Sequence, residues 1–269
     1  MKSPIRPRLL IGAAVLPLAI GVAVLQLGSV SADETTKEKP TSAQSLVIGS
    51  KDTPQPQDME GFLTAVTKDV DTYWTKMFKD SDLPEPRVTY SWIPAGQSAA
   101  SACGDGTSDL GDSAAAYCAG DDTIYISEKF ATDIYDGALD QALPGSSQGY
   151  GGTVGDFSVA YIVAHEFGHE IQDELGAFDR YGSSVPTMAF ELQADCYAGT
   201  WAKSAYDQNR LEDSDIQEAL DAALAVGDFD TDNPGHHGTP EQREEAWSAG
   251  FRSGDPSSCA GYLDGSVAT

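Results

Sequence analysis

DFSVAYIVAHEFGHEIQDELG, residues 156–176, is the stretch of sequence that decides the fold. It contains no proline, is mostly apolar before its two histidines, and places those histidines, His165 and His169, four residues apart. Residues four apart lie on one face of an α-helix, so a helix here would direct both imidazoles to one point. We predict a helix with Asp156 as its N-cap that stops at Gly176.

The five residues HEFGH at positions 165–169 have the HExxH pattern. Two imidazoles on one helical face can bind a metal ion, and the intervening Glu166 can take a proton from water bound to that ion. The alternative interpretation is a surface helix with two solvated histidines. The apolar residues before the motif argue against it, because a buried histidine pair needs a partner.

A catalytic zinc ion takes three protein ligands and keeps one position open, so the motif needs a third ligand. Metzincins obtain it from the extension HExxHxxGxxH. This chain has Gln172 at the glycine position and Leu175 at the final histidine position, which excludes that class.

The third ligand that we favour is Glu191, in a largely apolar segment predicted to form the next helix, residues 187–209. Asp195 shares its helical face and would accept a hydrogen bond from the far nitrogen of a ligating histidine. His236 and His237, in a predicted loop, are alternative third ligands. The sequence pattern therefore leaves open whether the third metal ligand comes from a second helix or from a loop.

Four separated motifs, HEFGHEIQ, ELQADCYAGTW, HGTPEQR and SGDPSSC, occur in the chain. With them the chain resembles the bacterial neutral zinc metallopeptidase family of the YpfJ type, over residues 99–259. The resemblance implies one Zn²⁺ held by His165, His169 and Glu191, with Glu166 as general base. It also implies a gluzincin-like arrangement and a protein or peptide substrate.

The remaining patterns predict further helices and strands around these motifs. An apolar stripe with a period of four residues predicts a helix ending near Asp80, and a capping box at residues 239–242 begins another helix. We predict strands at 87–93 and 123–127, a loop at 95–120, and helices at 214–227 and 239–254. The expected fold class is α+β: a mainly helical, zincin-like metallopeptidase domain at 58–269 with a small β-sheet.

The N-terminus has the pattern of an export segment. Three basic residues precede an uncharged, mostly apolar stretch at 9–30, and small residues follow it. Residues 1–32 are therefore either a cleaved signal peptide or a single-pass signal anchor, and polar residues 33–57 form a flexible stalk. Both interpretations place the domain outside the cytoplasm, secreted or tethered to the cytoplasmic membrane.

Four cysteines agree with export to an oxidising compartment. We favour the disulfides Cys103–Cys118 and Cys196–Cys259 among the three pairings that four cysteines allow. No CxxC spacing occurs, which disfavours a cysteine-ligated zinc site.

The charge of the chain excludes one class of partner. With 16 Lys+Arg against 42 Asp+Glu, the formal net charge is −26. Nucleic-acid binding depends on basic residues that displace counterions from phosphates, so we expect no nucleic-acid partner. The ordinary consequence of such a charge is solubility.

Hydrolysis by such a site needs a second donor that stabilises the oxyanion. We favour His237 as this catalytic group, with Tyr181 as a weaker choice, although His237 is equally well explained as a turn residue beside a helix cap. The strand at 123–127 is either an edge that binds an extended peptide or a core strand. Rival functions are a catalytically silent zinc domain that binds cell-envelope partners, and a zinc hydrolase acting on wall peptides that contain D-residues.

Overall fold

The computed structural model describes residues 58–103, 109–139, 142–182 and 184–267. The proposed signal segment (1–32) and stalk (33–57) lie outside the described residues. The described chain forms eight α-helices: α1 (Met59–Asp80), α2 (Glu128–Tyr135), α3 (Asp156–Glu174), α4 (Ala177–Tyr181), α5 (Thr187–Asp207), α6 (Asp213–Val226), α7 (Pro240–Ser253) and α8 (Gly261–Asp264). Three strands join them: β1 (Thr89–Ile93), β2 (Ala115–Cys118) and β3 (Thr123–Ser127). The α+β expectation is confirmed.

The small sheet has the order β1-β3-β2, with β1 parallel and β2 antiparallel to β3. Every residue of β3 is buried, and both of its edges are paired. The prediction that β3 offers an edge to a peptide is therefore wrong, and its alternative as a core strand holds. The predicted loop at 95–120 is also wrong in part, because β2 lies within it. This short, alanine-containing strand has little β-propensity of its own and depends on pairing with β3.

Helix α3 runs through the centre of the domain, and every residue from Phe157 to Gln172 is buried. A helix that is buried on all sides needs neighbours on all sides, and α3 packs against α1, α5, α6 and the sheet. Its N-cap is Gly155, so the prediction of Asp156 as N-cap is wrong. Glu218 of α6 instead accepts a hydrogen bond from the Phe157 amide at 3.0 Å. A carboxylate from a distant part of the chain has replaced the local cap.

Three glycines allow the central helices to approach closely. A Cβ on Gly168 of α3 would lie 2.9 Å from the Ala194 Cα of α5. Between α5 and α7, a Cβ on Gly199 would lie 2.1 Å from the Trp247 carbonyl oxygen, and one on Gly250 would lie 1.9 Å from the Cys196 carbonyl oxygen. Larger side chains at these positions would push α5 away from both neighbours.

Two disulfides link segments that are separated in the sequence. Cys103 pairs with Cys118 beside the sheet, and Cys196 of α5 pairs with Cys259 in the C-terminal segment, which is the pairing favoured from the sequence. Such bonds are typical of proteins in oxidising compartments outside the cytoplasm. Among the helices of the described ranges, none combines the length and hydropathy that a bilayer crossing needs.

Candidate metal centre

Helices α3 and α5 bring His165, His169 and Glu191 together. One donor atom from each lies within 4.8 Å of the others. His165 Nε2 is 3.2 Å from Glu191 Oε2, and His169 Nε2 is 3.5 Å from Glu191 Oε1. All three side chains are buried at the crossing of the two helices that Gly168 permits.

The donor atoms of this cluster fit a metal ion. His169 Nε2 and both carboxylate oxygens of Glu191 are buried, and none of them has a hydrogen-bond partner among the described residues. Buried polar atoms without partners are costly and rare in folded proteins. Two imidazole nitrogens and a carboxylate that converge on one point match the donor set and the open position of a catalytic zinc site.

A second layer of contacts orients His165. Its Nδ1 lies 2.8 Å from Asp195 Oδ1, which also accepts a hydrogen bond from the Tyr161 hydroxyl at 2.7 Å. Arg243 of α7 donates to both oxygens of Asp195, from Nε at 2.8 Å and from Nη2 at 2.9 Å. With its Nδ1–H donated to Asp195, His165 presents Nε2 towards Glu191.

His169 is oriented by a residue of its own helix. Its Nδ1 lies 2.9 Å from Gln172 Oε1, while Gln172 Nε2 donates to the Phe190 carbonyl at 2.7 Å. Because the amide nitrogen of Gln172 is already a donor to Phe190, its oxygen is left to accept from His169. In the sequence, Gln172 served only to exclude metzincins. Its spacing of three residues from His169 could also have indicated a contact between the two side chains on one helical face.

Glu166 is buried and is held from the sheet side. Its Oε2 accepts a hydrogen bond from the Tyr117 backbone amide of β2 at 2.8 Å. The Tyr117 hydroxyl contacts Asp173 Oδ2 of α3 at 3.0 Å, so strand and helix are joined at two points. Strand β2, which lies in the segment predicted as a loop, thus fixes the position of the proposed base Glu166.

His236 and His237 lie outside this cluster. Among the described residues, the donor atoms within 4.8 Å of one another at the centre come only from the three α3 and α5 residues. That geometry does not favour the alternative in which a loop histidine is the third ligand.

Both loop histidines contact Asp228 instead. His236 Nδ1 contacts Asp228 Oδ1, and Asp228 Oδ2 accepts from the His237 amide at 2.9 Å and lies 3.2 Å from His237 Nδ1. The next residue, Gly238, packs against Leu192 of α5. The loop therefore reaches the end of α5 that carries Glu191. Tyr181, the weaker candidate, lies at the end of α4 in an apolar cluster with Phe190.

The charges at the centre are strongly coupled. Burial alone would lower the pKa of His165, but the charge of Asp195 together with hydrogen bonds to Asp195 and Glu191 outweighs it and raises that pKa to about 9. Burial opposes ionisation of Glu191, yet the two imidazoles, His169 first, lower its pKa well below the usual range. Similarly, Arg243 holds the pKa of Asp195 below its usual value against the effect of burial. Metal binding at this centre would therefore release a proton from His165.

Comparison with known proteins shows which family the chain resembles. A family model described as "Putative neutral zinc metallopeptidase" matches residues 8–262. "Uncharacterized protein YpfJ" of Escherichia coli (strain K12) is 35% identical over 176 residues, which cover 58% of this chain and 56% of that protein. "Uncharacterized protein Rv2575" of Mycobacterium tuberculosis (strain H37Rv) is 32% identical over 221 residues, which cover 73% of this chain and 68% of that protein.

The chain thus spans little more than half the length of the Escherichia coli relative that it matches. No solved structure showed significant similarity to it. The family match extends over nearly the whole sequence and includes all four motifs that carried the resemblance. The chain belongs to this neutral zinc metallopeptidase family.

Proposed function

We propose that the chain hydrolyses peptide bonds outside the cytoplasm, with one zinc ion held by His165, His169 and Glu191. The observation that carries the proposal is the set of buried donor atoms on α3 and α5 that have no hydrogen-bond partner among the described residues, in a motif whose Glu166 is also buried. A zinc ion in such a site supplies Lewis acidity, which makes water nucleophilic near neutral pH and polarises a carbonyl group.

Glu166 is the proposed general base. The Tyr117 amide holds one carboxylate oxygen, Oε2, at 2.8 Å. This hydrogen bond limits rotation of the carboxylate, so its other oxygen keeps a constant direction for proton transfer. Glu166 would take the proton from the attacking water and deliver it to the leaving amine.

His237 is the proposed second donor to the oxyanion. Asp228 contacts its Nδ1 and accepts from its backbone amide, so Nε2 is the nitrogen left to face substrate, and it would donate only with both ring nitrogens protonated. This arrangement supports a fixed ring orientation, which is the property that an oxyanion donor needs. The same contacts also suit a turn residue beside the α7 cap, and kinetic data on His237→Ala would distinguish the two.

The test is casein hydrolysis by the purified domain, with and without a zinc chelator, alongside Glu166→Gln. We expect the chelator to abolish activity and Glu166→Gln to lower it by a factor of about 10²–10⁴, with one bound zinc retained. Glu174→Gln, on the same helix but outside the centre, is the matched control and should keep full activity.

Other outcomes would support the rival functions. One tightly bound zinc without any hydrolysis of casein or peptides would favour a silent zinc domain. Release of peptidoglycan fragments without casein cleavage would favour a wall hydrolase. Activity that persists in both the chelator and Glu166→Gln would contradict the proposal.

A further inference from the structure

Arg243 is a buried cation for which the proposed hydrolysis has no role. It lies in the first turn of α7 with only 2% of its surface exposed. A buried charge is costly unless it is paired and hydrogen-bonded, and Arg243 is paired with Asp195 through two parallel contacts. Its Nη2 also lies 3.2 Å from His165 Nδ1 and 3.4 Å from His165 Nε2, 3.3 Å from the Tyr161 hydroxyl and 3.8 Å from Glu191 Oε2.

We propose that Arg243 is a positioning residue of the metal centre, which fixes the plane of the Asp195 carboxylate and thereby the orientation of His165. This inference rests on the proposed metal site, but it does not depend on which bond the protein hydrolyses.

The hydrogen bonds of Asp195 give the physical reason. Within the described ranges, its Oδ1 meets three groups, the Tyr161 hydroxyl, His165 Nδ1 and Arg243 Nη2, whereas Oδ2 meets Arg243 Nε alone. Without the guanidinium fork, Oδ2 would lose its bond and the carboxylate would be free to rotate away from His165. A lysine supplies the charge but lacks the planar fork that holds both oxygens.

The fold brings Arg243 to this place through the close packing of α5 and α7. Thr239 and Gln242 form the capping box that starts α7, and the next residue is Arg243. Further along α7, Gly250 allows backbone contact with Cys196 of α5. The capping box of the HGTPEQR motif and its terminal arginine therefore act together, because the cap sets where the helix starts and so which residue faces Asp195.

The test compares zinc affinity in Arg243→Lys and Arg243→Met, measured by competition with a chromophoric chelator, and the absorption spectrum of the cobalt-substituted protein. We expect zinc to bind about 10–100-fold more weakly in both variants, with an altered cobalt spectrum, as for other residues that orient a ligand. Arg210→Lys is the matched control, because Arg210 is also buried and paired, with Asp69, outside the centre. It should leave both readouts unchanged.

A double-mutant cycle with Asp195→Asn separates positioning from general stabilisation. If Arg243 acts through Asp195, Arg243→Lys in the Asp195→Asn background should change zinc affinity by less than about twofold. Additive losses, or single variants whose zinc affinity stays within about twofold of wild type, would overturn the proposal. If Arg243→Met fails to fold, the lysine variant and its cycle decide the question. If the Arg243 variants bind zinc as weakly as expected but the wild type hydrolyses no peptide, the result counts against the proposed function and not against the role of Arg243.

Discussion

Two carboxylates one helical turn apart, Glu191 and Asp195, have different surroundings in this protein. The oxygens of Glu191 face two imidazole Nε2 atoms and have no hydrogen-bond partner among the described residues. The oxygens of Asp195 are saturated by Tyr161, His165 and Arg243. A free carboxylate beside imidazoles suits a metal ligand, whereas a saturated one suits a residue that orients a ligand.

This difference predicts unequal effects of two matched substitutions. Asp195→Asn should weaken zinc binding by about 10–100-fold, whereas Glu191→Gln should weaken it by more than about 100-fold, because it removes a ligand. The measurement is a competition titration against a chelator of known zinc affinity, with folding checked by circular dichroism. If Glu191→Gln binds zinc as tightly as wild type does, the proposed ligand set is wrong.

At the scale of elements, the site depends on the distance between α3 and α5. Gly168 sets this distance, because a Cβ there would lie 2.9 Å from the Ala194 Cα and 3.0 Å from the Ala194 carbonyl oxygen. Backbone atoms cannot move aside as a flexible side chain can, so the helices themselves must separate.

Gly168→Ala should therefore lower the free energy of unfolding by about 1–3 kcal/mol, despite the better helix propensity of alanine. It should also weaken zinc binding, since Glu191 would move away from the two histidines. Chemical denaturation and zinc titration are the measurements. Gly152→Ala is the control, because a Cβ there meets nothing within 4 Å. An equally stable Gly168→Ala variant with unchanged zinc affinity would contradict this account of the helix crossing.

The start of α3 carries a second effect at the same scale, a pH-dependent contribution to stability. Asp156, Asp215 and Glu218 lie together there, each with one carboxylate oxygen within 4.8 Å of the others. Burial, with the charge of neighbouring acids, raises the pKa of Asp215 to about 6 and that of Glu218 to about 7. Above pH 4.5, the ordinary pKa of a glutamate, the folded state thus binds more protons than the unfolded state.

The free energy of unfolding should consequently fall as the pH rises from about 4 to 7, because the protonated form is favoured only in the folded state. Glu218→Gln keeps an acceptor for the Phe157 amide but removes one ionisation. We expect its melting temperature to exceed that of wild type at pH 8 and to match it near pH 4. Asp232→Asn, which removes an exposed charge, controls for net charge. Parallel pH profiles for Glu218→Gln and wild type would refute the prediction.

At the scale of the whole molecule, the Cys196–Cys259 disulfide ties the C-terminal segment to α5, the helix that carries Glu191. It joins residues 63 apart in sequence, whereas Cys103–Cys118 joins residues 15 apart. A longer closed loop restricts the unfolded chain more strongly, so the long-range bond should contribute more to stability.

Replacing both members of the long-range pair with serine should lower stability by about 4 kcal/mol, and replacing the short-range pair by about 3 kcal/mol. Thermal melting of both double variants, each compared with wild type under non-reducing conditions, tests the order. If loss of Cys103–Cys118 destabilises more, strain or sheet packing outweighs loop closure. The disulfides also agree with the proposed site of action outside the cytoplasm, although the export segment itself stays a prediction.

Sequence alone determined the features that depend on neighbours along the chain. The HExxH spacing, the capping box of α7 and the glycines after α3 and α7 indicated helices and their ends, because these signals act within one or two turns. The apolar run before His165 also indicated burial. The roles of His165, His169, Glu191 and Glu166 stay predictions, and the convergence of the first three on one point supports their role as ligands.

Only the tertiary structure decided what distant residues do to one another. At the start of α3, Glu218 and not Asp156 accepts the hydrogen bond from the helix amide. The segment that forms β2 has little β-propensity of its own, and the Tyr117 amide of this strand holds Glu166. The tertiary structure also brought Arg243 of α7 to Asp195 of α5. These contacts join residues 48 to 61 positions apart. Their energies come from burial and hydrogen bonding after the helices have packed, and no local pattern in the sequence records them.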